Sequence, residues 1–190
     1  VEVVPGLDTF PNIASEVMEF LAGTGKRPIL VKECPGFLVN RLLGAYMNEV
    51  LWLLQDAAGI LDVDKGAKEL GFPMGPAELG DMVGWDVICA SNRILARYYG
   101  DRFALPPLLE ELAVSGRHGK KAGRGLLDHT VHPPTVTEDL APASRLGMEG
   151  SLEFMKKRLV YAIIAEGLRC LEEQVASPAF IDLAMRIGAG

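Results

Sequence analysis

The sequence predicts a mainly all-α fold with a short βαβ unit at its N-terminus, and three observations lead there. Two runs rich in β-branched and aliphatic residues, Val1-Glu2-Val3-Val4 and Pro28-Ile29-Leu30-Val31-Lys32, flank a single amphipathic stretch. From Pro35 onward the apolar residues recur at helical spacing, punctuated only by glycine and proline. The chain also matches itself at an offset of 117 residues. Arg41, Leu42, Ala45, Glu49, Leu51, Leu54, Ala67 and Gly71 fall on Arg158, Leu159, Ala162, Glu166, Leu168, Leu171, Ala184 and Gly188 without a gap.

Taken in order, residues 1–4 read as a strand that Pro5-Gly6 ends. Asp8 or Thr9 is placed to cap a helix running to about Thr24, with Ile13, Val17, Phe20 and Leu21 on one face. Residues 28–32 form the second strand, and strand, helix and strand make the minimum piece of a parallel sheet. Two strands alone are not a stable sheet. The unit therefore reads as a remnant, over residues 1–33, of a larger α/β domain.

Pro35 suits the first turn of a helix that continues to about Ala57. Its apolar residues cover most of its circumference, which predicts a central position. Asn40, Arg41, Asn48, Glu49, Gln55 and Asp56 fall within about half a turn at 100° per residue. Further helices are expected at 63–70, 76–83, 85–99 and 106–115. A long polar connection spans 116–142, and the last helices run near 151–175 and 178–187. The repeat pairs the helix of residues 35–57 and the next helix with the last two. Residues 34–128 are thus a first helical repeat, 129–150 a linker and 151–190 a truncated second repeat.

Composition sets limits on function. The chain has 190 residues, 49% of them hydrophobic, and a net charge of −6. That charge disfavours nucleic acid, which rewards positive surface. No apolar run reaches the roughly 20 residues that span a bilayer, and the opening residues do not read as a signal peptide. Cys34, Cys89 and Cys170 are odd in number and lack metal-ligand or redox spacing. They are expected as reduced, mostly buried thiols in a cytoplasmic setting, with no metal site. His118, His129 and His132 lie in the long connection and are expected at scattered surface positions. The chain opens on Val1 rather than Met and closes on Gly188-Ala189-Gly190. A fragment of a larger polypeptide is the expectation.

The chemistry concentrates in Cys34-Pro35-Gly36-Phe37-Leu38-Val39-Asn40-Arg41 and in Gly71-Phe72-Pro73-Met74-Gly75-Pro76. Asparagine is a poor helix former, costing roughly 0.5 kcal/mol against alanine. Asn40 offers an acceptor and two donors without charge. It either orients a substrate oxygen at a cleft or simply faces water. Its counterpart in the second repeat is Lys157, so only the first copy can hold such a site. Lys120, Lys121 and Arg124, set among glycines, are either a phosphate-binding nest or a solvated basic loop.

Pro35-Gly36-Phe37-Leu38-Val39-Asn40-Arg41 resembles the opening of the helical C-terminal domain of the 3-hydroxyacyl-CoA dehydrogenases. The Gly71–Pro76 block, the run Leu79-Gly80-Asp81-Met82-Val83-Gly84-Trp85-Asp86 and the stretch 116–125 are similar to that family too. Leu126-Leu127 departs from it, standing where the family has aromatics. The resemblance implies a fold like the C-terminal domain of 6-phosphogluconate dehydrogenase. It implies a parent enzyme of fatty-acid β-oxidation that converts 3-hydroxyacyl-CoA to 3-oxoacyl-CoA with NAD. Asn40 would then contact the 3-oxygen. Glu2, in Val1-Glu2-Val3, would orient a catalytic histidine lying upstream. Phe72, Pro73 and Met74 would line the acyl pocket. No G-x-G-x-x-G occurs in the chain, so NAD would be held by a domain outside it, and the chain alone is expected to be inactive. The expected partners are an acyl-CoA substrate and a second copy in a homodimer. Two alternatives stand beside this reading: a non-catalytic helical dimerisation or scaffold domain, and a related dehydrogenase acting on another β-hydroxy acid.

Overall fold

The computed structural model describes residues 1–56, 58–137 and 152–188, and the chain forms two compact units. The first comprises Val1–Leu43 and Ile164–Gly190, the second Gly44–Ile163. Among the described residues there are eight α-helices and four two-residue strands, so the predicted mainly α-helical class holds.

In the first unit, β1 (Glu2–Val3) and β2 (Ile29–Leu30) pair in parallel, with Glu2 opposite Ile29 and Val3 opposite Leu30. Helix α1 (Pro11–Gly23) connects them, as the βαβ pattern predicts. Its start differs from expectation. Phe10 occupies the cap position with no side-chain hydrogen bond, and Pro11 opens the helix. Thr9 is otherwise engaged, its hydroxyl accepting from the Gly6 N–H at 3.0 Å. The expected apolar face of α1 is not buried: Ile13, Val17 and Phe20 are exposed.

The first turn of α2 (Val39–Gln55), the part of α7 (Leu152–Glu172) from Ile164 onward and α8 (Pro178–Gly188) complete this unit. Its core gathers Ile29, Val31, Leu38, Leu42, Cys170, Val175 and Ala184. Beyond β2 the chain stays extended, and the Lys32 N–H donates to the Val175 carbonyl at 2.7 Å. Fully burying one such aliphatic side chain contributes about 1.5–3 kcal/mol, so this small cluster holds the unit together.

The second unit contains the remainder of α2, then α3 (Ile60–Glu69), α4 (Pro76–Val83), α5 (Trp85–Tyr99), α6 (Pro107–Val114) and the start of α7. Helix α3 begins three residues before the expected 63, which sets Asp62 in its first turn. Tyr46, Val50, Leu51, Val63, Trp85, Leu95, Phe103 and Leu109 are buried here. Helix α2 is as central as its composition predicts. Its polar stripe is not all solvated, however, because Arg41 and Asn48 are buried. Gly44 is the close-approach point, since a Cβ there would lie 2.8 Å from the Leu95 side chain.

The connection after α6 carries more structure than the sequence predicts. Lys120–Ala122 form a 3-10 turn, and β3 (Leu127–Asp128) pairs antiparallel with β4 (Thr135–Val136). Of the expected linker over 129–150, residues 138–150 lie outside the described residues.

The offset of 117 has a counterpart in the ion pairs. In the first unit, Arg41 donates to Glu166 at 2.6 Å and to Glu173 at 2.7 Å. In the second, Arg158 pairs with Glu49, and with Asp56 at 2.7 Å. Arg158 is the counterpart of Arg41, Glu166 of Glu49, and Glu173 of Asp56. Each arginine therefore takes its carboxylates from the opposite copy, and the set Arg–Glu–acid occurs twice with the partners exchanged.

Candidate functional site

The candidate site begins with the turn ahead of α2. Gly36 and Phe37 both adopt positive φ, 78° and 47°, which a right-handed helix excludes. The helix expected from Pro35 therefore starts only at Val39, and Pro35–Leu38 form a turn. The Phe37 N–H donates to the Cys34 carbonyl at 2.9 Å, and the Cys34 thiol reaches the Phe37 carbonyl at 3.4 Å. A non-glycine residue held in this region costs on the order of 1–3 kcal/mol.

Glu2 meets this turn from β1. Its Oε1 accepts the N–H of Leu38 at 2.8 Å and that of Val39 at 3.2 Å. The first amides of a helix have no partner inside it, and a carboxylate is favoured at that end of the helix dipole. The structure thus brings Glu2 onto the turn whose next residue is Asn40. Asn40 is exposed, and among the described residues its side-chain amide makes no hydrogen bond. One residue further round the helix Arg41 points inward, fully buried, to Glu166 and Glu173. The adjacent polar pair of the sequence is thus split into one buried anchor and one solvent-facing amide.

Also in the first unit, a cleft of about 990 Å³ opens where the chain leaves both strands. Leu7, Leu30, Lys32, Gln174, Val175 and Phe180 are among the residues lining it. No sequence motif marked it, because its lining comes from three separated segments.

Phe72, Pro73 and Met74 belong to the second unit. Phe72 stacks on Tyr46, with ring centroids 4.8 Å apart and planes at 16°. The turn they occupy is fixed from α3. The buried Asp64 accepts the Ala77 N–H at 2.8 Å, and a Cβ on Gly75 would fall inside the Asp64 carboxylate. Burial raises the Asp64 carboxyl pKa, with the Ala77 N–H working against it. Burial likewise raises that of the Tyr46 phenol, helped by the charge of Asp64. The Tyr46 hydroxyl has no hydrogen-bond partner among the described residues.

Sequence reasoning missed the polar centre of this unit. Asp81 is buried and accepts four hydrogen bonds. They come from Trp85 Nε1 (2.5 Å), the Leu126 and Leu127 N–H groups (3.0 and 2.9 Å) and His129 Nε2 (2.8 Å). His129 is therefore not the scattered surface histidine expected, and His118 is also tied down, its Nε2 lying 3.0 Å from the Ala113 carbonyl. The signal was present as Asp81 and Trp85 at i and i+4, with a glycine-dense stretch far along the chain. Gly119 and Gly125 are needed because a Cβ on either would strike Asp81. In the basic loop Lys121 pairs with Asp86 and Arg124 with Asp128. All three thiols are free, Cys89 and Cys170 buried and Cys34 partly so. Among the described residues no cluster could hold a metal, and no helix is long and apolar enough to cross a membrane.

Comparison with known proteins places these observations. Residues 36–129 match the family model of the 3-hydroxyacyl-CoA dehydrogenase C-terminal domain. The fatty acid oxidation complex subunit alpha of Shewanella loihica is 34% identical over 195 residues, covering 100% of this chain and 28% of that protein. The subunit of the same name from Shewanella amazonensis is 35% identical over 203 residues, with the same coverage. The chain thus spans 28% of the length of these curated relatives. Among solved structures, 3-hydroxybutyryl-CoA dehydrogenase of Escherichia coli superposes with a TM-score of 0.86 at 25% identity, over 100% of this chain and 57% of that one. (S)-3-hydroxybutyryl-CoA dehydrogenase PaaH1 of Ralstonia eutropha gives 0.63 at 34% identity, over 66% of this chain and 45% of that one. Through residues 36–129, this chain belongs to the C-terminal domain family of the 3-hydroxyacyl-CoA dehydrogenases, a family of oxidoreductases.

Proposed function

We propose that this chain is the helical, substrate-facing part of an NAD-dependent L-3-hydroxyacyl-CoA dehydrogenase of fatty-acid oxidation. In this reading residues 1–33 are the end of its dinucleotide-binding domain, 34–128 a first helical repeat and 151–190 part of a second. The observation that carries it is the meeting of Glu2 with the first turn of α2, directly before an exposed amide at Asn40. One carboxylate oxygen of Glu2 is committed to the Leu38 and Val39 amides. The other has no partner among the described residues and is available to orient an imidazole, as the acid of a triad orients its base. Asn40 then hydrogen-bonds the substrate's C3 oxygen and holds it for proton removal by that base.

The described residues do not fit a dinucleotide. The chain has no G-x-G-x-x-G turn leading from a strand into a helix, which is the element that cradles a pyrophosphate. NAD, which accepts the hydride in such reactions, is therefore held by other parts of the longer protein, and the chain alone binds acyl-CoA at most. The parent acts as a homodimer.

The test is made in the longer polypeptide. Asn40→Ala should lower kcat by about 10²–10³, the usual effect of losing one donor to a developing oxyanion, with a smaller change in KM. Lys157→Ala, at the counterpart position, should leave turnover nearly intact. Equal losses at both positions would refute the assignment of the site to the first copy. Isothermal titration of the 190-residue chain with NAD should give no saturable heat.

A further inference from the structure

Phe37 combines three features that a purely structural residue does not need together. Its backbone sits at φ 47°, directly after Gly36 at 78°. Glycine takes that conformation freely, and for a bulky aromatic it is an outlier. The residue is nevertheless 41% exposed, and Phe37 is absent from the residues that form or flank the core of its unit. The fold thus gains little from the ring that glycine would not replace with a more relaxed chain.

What surrounds Phe37 explains how the conformation persists. The Cys34 carbonyl holds its N–H from one side. On the other side, Glu2 holds the next two amides, Leu38 and Val39. The turn is therefore determined from both directions, and the residue it displays lies three positions before Asn40. Strain kept in place at such a point commonly serves a site.

We propose that Phe37 is a specificity-determining residue of the candidate site, its exposed ring forming an apolar contact surface for the acyl thioester that Asn40 holds by its oxygen. This rests on the dehydrogenase reading above. An aromatic ring brings neither charge nor proton to the reaction. It supplies apolar area at low conformational cost and keeps water from the ligand face it covers. Glycine would satisfy the backbone but leave no apolar surface at this position.

Two substitutions separate the ring from the backbone, measured in the longer polypeptide with NAD and a 3-hydroxyacyl-CoA. Phe37→Gly and Phe37→Ala both remove the ring, but only glycine relaxes the positive φ. Phe37→Gly should therefore melt above Phe37→Ala. Both should lose at least tenfold in kcat/KM, and Phe37→Tyr, which keeps the ring, should stay within about threefold of the parent, in line with the 10–200-fold value of modest apolar contacts. If Phe37→Gly keeps the parental kcat/KM, the ring is not a contact surface and the proposal falls, while the dehydrogenase reading survives. A parent that turns over no 3-hydroxyacyl-CoA removes that reading and this proposal with it.

Discussion

The exchanged arginine clusters predict unequal costs for the same substitution. At Arg41→Met the guanidinium leaves two carboxylates behind. Glu173 is 39% exposed and can turn to water, but Glu166 is 1% exposed. Removing one partner of a buried pair costs about 3–5 kcal/mol, because the other charge stays desolvated. Arg169 donates to Glu166 at 3.1 Å from a half-exposed position, which keeps the loss near the low end, about 3 kcal/mol. At Arg158→Met the abandoned acids, Glu49 and Asp56, are 23% and 51% exposed and rehydrate. That change should cost about 1 kcal/mol or less. Urea unfolding followed by far-ultraviolet circular dichroism reads both. With a slope of about 2 kcal/mol per molar, the midpoint falls by roughly 1.5 M for Arg41→Met and by under about 0.5 M for Arg158→Met. Adding Glu166→Met to Arg41→Met should recover part of the loss, since the buried carboxylate is then removed together with the guanidinium. Equal midpoint shifts for the two single variants, or no recovery in the double, would show that burial does not set the worth of these pairs.

Other outcomes follow from particular residues. Because burial raises the Asp64 pKa, the folded state binds that proton more tightly than the unfolded chain. Stability should therefore rise from this group as pH falls from neutrality toward about 4, the ordinary aspartate value, and Asp64→Asn should flatten that part of a melting-temperature profile. Gly125→Ala forces a Cβ into Asp81 and should cost about 2 kcal/mol or more. Gly25→Ala, at φ 79° with open space around it, should cost about 1 kcal/mol; similar melting shifts for the two would remove the crowding argument. A disulfide reagent at pH 8 should modify Cys34 first, because Cys89 and Cys170 are buried and burial pushes the Cys170 thiol up to about 12; simultaneous reaction of all three would contradict this. Amide exchange should be fastest through α1, which buries no residue, and slow amides there would refute a loosely held βαβ segment.

The sequence by itself determined the helices of residues 76–83 and 85–99, since Pro76 and Gly84 fix their starts and the apolar spacing fixes their faces. It determined the βαβ order, because that is written in local pattern. The Pro35–Arg41 block singled out Asn40 as a candidate, as a motif of contiguous residues can. Tertiary structure decided what depends on residues far apart in the chain. Glu2 reaches Leu38 and Val39 across more than thirty residues, and Asp81 draws in Leu126, Leu127 and His129 across more than forty. No local period encodes such pairings. Whether Arg41 or Asn40 faces the core is likewise beyond the sequence, since both lie on one polar stripe and only the approach of Glu166 and Glu173 decides between them. The left-handed turn at Phe37 went unread for the same reason: aromatic residues avoid that conformation locally, and hydrogen bonds donated by the Phe37 and Leu38 N–H groups to Cys34 and Glu2 hold it there.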